Sequence, residues 1–240
     1  MPKTVIPKGA QEAYRAFCDR GRVLFFSAPC GFGKTAVAET LLEGKNVLRL
    51  SAEAPDFALP TAGEPWEILL IDDLQAIQEE ETLLALCTLI RTLPRFVLLS
   101  RGAPPGCLMA FQYTGLMTVL GPRDLLLDRE NIRQLFLSEE VPVTDGEIAG
   151  IAQESIGYPL GVVITAQCMK GGEPFSPDIV TQAFRQVYFY FETAIYQRFD
   201  LPLRRFLLEL APFETFDLEL ARIATGDSRA GEHLAWLQQQ

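Results

Sequence analysis

The chain has 240 residues, 48% of them hydrophobic and 22% charged, with a formal net charge of −10 at pH 7. That is ordinary globular composition, without an apolar run near the ~20 residues that span a bilayer, and a soluble, cytoplasmic protein is expected. An acidic surface argues against broad contact with nucleic-acid phosphates, and five cysteines with no C-x-x-C pair and one histidine argue against a zinc site.

The first residues, Met1-Pro2-Lys3-Thr4-Val5-Ile6-Pro7-Lys8, lack the apolar core of a signal peptide. Up to about residue 120, short apolar runs alternate with helical spacing, which predicts βα units and a parallel sheet. Strands are expected at Val23–Phe26, Val47–Leu50, Ile68–Ile71, Phe96–Leu99 and Met117–Leu120. The Pro-, Ala- and Gly-rich stretch from Pro55 to Pro65 reads as an irregular crossover, and Gly102-Ala103-Pro104-Pro105-Gly106 as a loop leaving a strand.

Directly after the first apolar run comes Ala28-Pro29-Cys30-Gly31-Phe32-Gly33-Lys34-Thr35-Ala36. Helical spacing follows at Val37, Ala38, Leu41 and Leu42, with Gly44 as a stop. A glycine-bearing loop that ends in Lys-Thr between a buried strand and a helix reads as a phosphate cradle; the plainer reading is a glycine-containing turn with a chance lysine. The cradle's N–H groups wrap phosphate oxygens and the helix N-terminus adds positive potential. On this pattern Lys34 reaches the β and γ phosphates and Thr35 offers its hydroxyl to Mg²⁺. Gly31 and Gly33 permit backbone angles that a Cβ would block. Ala28 stands where the usual pattern has its first glycine. Cys30 reads either as a small filler or as an oxidation-sensitive thiol.

Glu67-Ile68-Leu69-Leu70-Ile71-Asp72-Asp73 is an apolar strand ending in two carboxylates. Ligands of parallel sheets bind beyond the carboxyl ends of strands. If this strand neighbours the first, Asp72 holds Mg²⁺ and Asp73 polarises the attacking water; the plainer reading is that both cap the next turn. Phe96-Val97-Leu98-Leu99-Ser100-Arg101 brings an arginine to the same edge, either to sense a γ phosphate or to pair with Asp72 or Asp73.

From Asp128 onward the pattern is helical. Asp128 caps a helix through Leu137, Thr144-Asp145-Gly146-Glu147 fits a capping box, and Ser176-Pro177 opens a long helix. Val180, Phe184, Val187, Tyr188 and Phe191 on that helix read as core packing. Pro202 opens another helix with Phe206, Leu207 and Leu210 inward, and Asp217 and Ser228 cap two more. In Gly157-Tyr158-Pro159-Leu160-Gly161, Pro159 is accounted for by a helix start, although it could also stack on an adenine.

The ordered segments A-P-x-G-F-G-K-T, L-L-I-D-D, V-L-L-S-R and G-Y-P-L-G resemble those of the signal-transduction ATPases with numerous domains. Within that group the chain is similar to the MalT-like branch of LuxR-type bacterial transcription regulators, which tolerates Ala28. Leu201–Leu208 and Leu220–Gly226 resemble the family's winged-helix region. The segment after Ser51 lacks the family's polar aromatic signature.

The resemblance implies a P-loop α/β core over 1–125, with a parallel sheet and helices on both faces. A helical lid over 126–175 and an all-α winged-helix-like segment over 176–240 follow. It implies a switch that binds ATP or ADP with Mg²⁺, rests with ADP, self-associates with ATP and resets by slow hydrolysis. It adds Pro159 to the nucleotide contacts and assigns Asp73 and Arg101 to hydrolysis and γ-phosphate sensing. DNA contact would fall to a C-terminal helix-turn-helix outside this chain. Two other readings stand beside it: an AAA-like remodelling or loading motor, and an interaction module whose nucleotide site is degenerate.

Overall fold

A computed structural model of the chain describes residues 4–61, 66–93, 95–172 and 174–239. Five parallel strands, β1 (Val23–Ser27), β2 (Val47–Ser51), β3 (Ile68–Asp72), β4 (Phe96–Ser100) and β5 (Met117–Leu120), form one sheet in the order β2-β3-β4-β1-β5. Part of the crossover expected at 55–65 lies outside the described residues. β1 and β3 are not neighbours, because β4 pairs with both. The condition under which Asp72 and Asp73 were expected near the phosphate loop therefore fails, and the contact arises another way.

Near-continuous apolar runs suit strands covered on both faces. The pleat divides them. Leu24 and Phe26 of β1, Ile68 and Leu70 of β3, and Val97 and Leu99 of β4 join one buried cluster. Val23 and Phe25, Leu69 and Ile71, and Phe96 and Leu98 join the other. Helices α1 (Lys8–Arg20) and α2 (Lys34–Leu41) supply Ala10, Phe17, Val37 and Ala38 to the first face. α3 (Glu80–Thr92) and α4 (Met109–Tyr113) supply Leu86, Ile90 and Phe111 to the second. Each large apolar side chain so buried contributes about 1.5–3 kcal/mol.

Contacts divide the chain into two compact units, Met1–Thr181 and Gln182–Gln240. Helices α5 (Arg129–Ser138), α6 (Asp145–Ser155) and α7 (Pro159–Met169) belong to the first unit, around a cluster that includes Ile132, Phe136, Ile151 and Val162. Their caps follow the sequence. Asp128 accepts from the Asn131 N–H at 2.8 Å, and Thr144 exchanges bonds with Glu147.

The division falls inside α8 (Pro177–Ala194). Val180 and Val187 are buried there, but Tyr188 is 66% exposed, which corrects the expected stripe. Ala183, smaller than any residue of that stripe, is buried instead. In the second unit, α9 (Leu201–Leu210) buries Leu203, Phe206 and Leu210, with Leu207 packed at the edge of their cluster. Asp217 caps α10 (Leu218–Thr225). α11 (Ala230–Gln239) starts after a turn closed by Asp227, whose carboxylate accepts from the Arg229 N–H at 2.8 Å, rather than by the expected Ser228. Among its described residues this unit has helices and turns and no strand to form a wing.

Asp128→Ala removes a side-chain cap worth about 1 kcal/mol. Thermal denaturation followed by circular dichroism should show the first unit melting roughly 2–4 °C lower.

Candidate functional site

The loop after β1 is held at both ends. The Ala28 N–H donates to Ser100 O at 3.2 Å, extending the β1–β4 ladder by one bond. Gly31 and Gly33 both take left-handed backbone angles, φ 86° and 73°. Their surroundings differ. A Cβ on Gly31 would stand 1.8 Å from Tyr158 Oη, whereas one on Gly33 would meet nothing within 4 Å. Gly33 is the N-cap of α2 and has no side-chain cap. The first N–H groups of a helix have no partner within it, so they suit an anion at this position.

Lys34 folds back over the loop. Its Nζ donates to Ala28 O at 2.6 Å and to Pro29 O at 3.2 Å. Burial holds the ammonium below the ordinary lysine pKa, while Cys30, Asp72 and Asp73 pull it up and Arg101 pushes it down. Desolvation of a cation is relieved by a nearby anion.

Thr35 Oγ1 donates to Asp72 Oδ2 at 2.8 Å. The helix that follows β1 thus meets a carboxylate on β3, although β4 lies between those two strands in the sheet. The other oxygen of Asp72 accepts from the Asp73 N–H at 2.8 Å. Asp73 itself is left-handed, φ 54°, a conformation aspartate tolerates better than most residues. Its Oδ1 accepts from Gln75 Nε2 at 3.0 Å and from Arg101 Nη2 at 3.1 Å. Arg101 also pairs with Glu53 Oε1 at 3.1 Å. Of the alternatives left open by the sequence, the structure therefore contains the Arg101–Asp73 ion pair.

These groups surround a cleft of about 410 Å³. It takes in Cys30, Gly31, Gly33, Lys34, Thr35 and Ala36 from the loop and helix, Asp72, Asp73 and Arg101 from strand ends, and Leu160 from α7. Ala28, Pro29 and Phe32 lie in the same loop without lining the cleft, and Pro159, the first residue of α7 and next to Leu160, does not line it either. A larger groove, about 660 Å³, lies between residues 52–59 and 76–85 and contains none of the predicted site residues.

Sequence reasoning missed four residues. Glu53 and Gln75 hold Arg101 and Asp73, and only their closeness to the strand ends hinted at it. Tyr158 and Leu160 clasp the loop. Tyr158 Oη donates to Cys30 O at 3.1 Å, and the Leu160 N–H donates to Gly31 O at 3.1 Å. Phe32 meets the Tyr158 ring edge-on, centroids 5.2 Å apart. The Gly-Tyr-Pro segment marked this place, but the tyrosine makes the contact.

The donor set suits Mg²⁺. Among the described residues no group of three or more His, Cys, Asp or Glu could hold a metal alone. One hydroxyl beside one carboxylate is what a hard cation that arrives with phosphate oxygens and keeps its waters requires.

No protein-family model matches the chain, and no curated protein matches it. Solved structures do. A mutant RuvB of Thermotoga maritima aligns over 96% of this chain and 86% of its own, at 15% identity and TM-score 0.52. A Walker-type ATPase of Pyrococcus abyssi aligns over 100% and 93%, at 12% identity and TM-score 0.63. A STAND protein with a tetratricopeptide-repeat sensor from Pyrococcus horikoshii aligns over 99% and 40%, at 14% identity and TM-score 0.49, too slight a likeness to carry weight. The fold is that of the P-loop NTPases.

Gly31→Ala and Gly33→Ala both place a side chain at positive φ, which costs about 1–2 kcal/mol. Only the first also collides with Tyr158. Gly31→Ala should therefore lower the melting temperature clearly more than Gly33→Ala in parallel thermal scans.

Proposed function

We propose that the cleft binds an adenine nucleotide with Mg²⁺ and that the chain is the nucleotide-dependent switch of a regulator of the MalT-like, LuxR type. One observation carries the nucleotide reading: Thr35 and Asp72, from elements separated by a whole strand, meet at 2.8 Å beside the half-buried ammonium of Lys34. A cap or a chance turn requires no such meeting. The adenine base and the regulatory role rest on the resemblance of the four ordered motifs.

In this reading the loop amides and the N-terminus of α2 take the phosphate oxygens. Lys34 leaves the Ala28 and Pro29 carbonyls to neutralise the β and γ phosphates. Thr35 and Asp72 hold Mg²⁺, which neutralises phosphate charge when bound. Asp73 accepts a hydrogen bond from the attacking water, and Arg101 exchanges its carboxylate partners for the γ phosphate. Pro159, at the start of α7, is assigned to the base side of the nucleotide. The clasp from Tyr158 and Leu160 connects α7 to the loop, which lets phosphate binding be felt by the helices around it. Self-association in the ATP state, and DNA contact through a helix-turn-helix outside this chain, complete the proposal.

The experiment is isothermal calorimetry with Mg-ATP and Mg-ADP, combined with turnover. The wild type should bind both nucleotides and hydrolyse few ATP per minute. Lys34→Ala should abolish tight binding. Asp73→Asn should retain affinity within about threefold and slow hydrolysis by roughly 10²-fold or more, the range for loss of a general base. Rapid, sustained turnover would favour a motor instead, and no heat with either nucleotide would favour a degenerate interaction module.

A further inference from the structure

Gln75 lies on the short turn Leu74–Ala76 that follows β3. Its amide makes two hydrogen bonds of opposite sense. Nε2 donates to Asp73 Oδ1 at 3.0 Å, and Oε1 accepts from the Arg101 main-chain N–H at 3.1 Å. The orientation of the amide is dictated by its partners. An ionised carboxylate only accepts and a backbone N–H only donates, so the group between them must do both. Together with the Arg101 Nη2–Asp73 Oδ1 bond at 3.1 Å, these contacts close a ring that ties the end of β3 to the end of β4.

The ring treats the two oxygens of Asp73 differently. Oδ1 receives both side-chain donors, and among the described hydrogen bonds Oδ2 receives none. Rotation of a carboxylate is otherwise soft, and the left-handed backbone of Asp73 does not determine it. Arg101 cannot be its permanent guide if that guanidinium turns to a phosphate. Gln75 is the neutral donor that remains. Its other bond goes to the main chain of Arg101, which stays in place when the side chain moves.

We propose that Gln75 is a positioning residue for the hydrolytic step: it pins Oδ1 of Asp73 and so presents Oδ2 to the attacking water, whether or not Arg101 is engaged elsewhere. The inference rests on the nucleotide reading above. Ionised glutamate at this place would accept but not donate, and would repel Asp73. Methionine would fill the space without either bond. Histidine carries a donor and an acceptor on separate ring nitrogens and could restore part of the ring.

The test measures Mg-ATP affinity by calorimetry and the single-turnover hydrolysis rate for wild type, Gln75→Met, Gln75→Glu and Gln75→His. Expected are dissociation constants within about threefold of wild type throughout. The rate should fall at least tenfold in the methionine and glutamate variants and recover partly in the histidine variant. Steric filling alone would not produce that order. If the methionine variant keeps its rate within twofold, or if affinity, rate and melting temperature fall together in every variant, the positioning role is overturned while the nucleotide reading stands. If the wild type itself binds no nucleotide, both are overturned.

Discussion

The arrangement depends on β4, buried along its length and hydrogen-bonded on both sides. Its pairing with β1 and with β3 runs parallel and in a fixed register, so that Ser27 lies opposite Ser100 and Ile71 opposite Leu98. A one-residue slip would turn every buried side chain to the wrong face. Both faces are covered by apolar clusters, so such a slip would cost packing fit on each rather than burial. The carboxyl ends of three strands are thereby held level, and all the charged groups of the cleft leave from that one edge.

That edge concentrates opposing charges in little space. Lys34 is partly desolvated, Asp72 and Asp73 follow each other in sequence, and Arg101 has two acidic partners. In the structure the groups satisfy one another: ammonium with carbonyls, hydroxyl with carboxylate, guanidinium with carboxylates. The Arg101 pairs are partly exposed, and such pairs are worth little, around 0–1 kcal/mol each. They are contacts that a polyanion can replace without unfolding anything. Strain is present at the same edge, in the left-handed Asp73, and the hydrogen bonds around it hold that conformation in place.

The second feature is the clasp on the loop. Tyr158 and Leu160 take the carbonyls of Cys30 and Gly31, and Gly31 has no room for a side chain because the phenol is there. Glycine at that position serves a close approach as well as a backbone angle. Gly157 serves the same purpose beside the tyrosine: it is left-handed at φ 71°, and a Cβ on it would stand 2.4 Å from Leu127 O. Helix α7, packed with α5 and α6, is therefore joined to the loop after β1 through the Tyr158 hydroxyl and the Leu160 N–H, within the first compact unit.

Much of this was legible in the sequence because it is local. Apolar runs, the glycine-lysine-threonine loop and the capping residues act over a few positions, and the five strands fall within a residue of where those runs lie. The order of the strands is not local. Nothing in residues 23–27 or 68–72 says that 96–100 will come between them, and so the sequence allowed the meeting of Thr35 with Asp72 without requiring it. Gln75, Glu53 and Tyr158 escaped notice for the same reason: an amide, an exposed acid and an aromatic acquire their roles only from what faces them. By itself the sequence determined where the five strands lie and which loop carries the glycine, lysine and threonine of a phosphate-binding pattern, since hydrophobic period and backbone freedom are properties of neighbours in the chain. The tertiary structure alone decided which of those residues meet, since that depends on the packing of strands far apart in sequence.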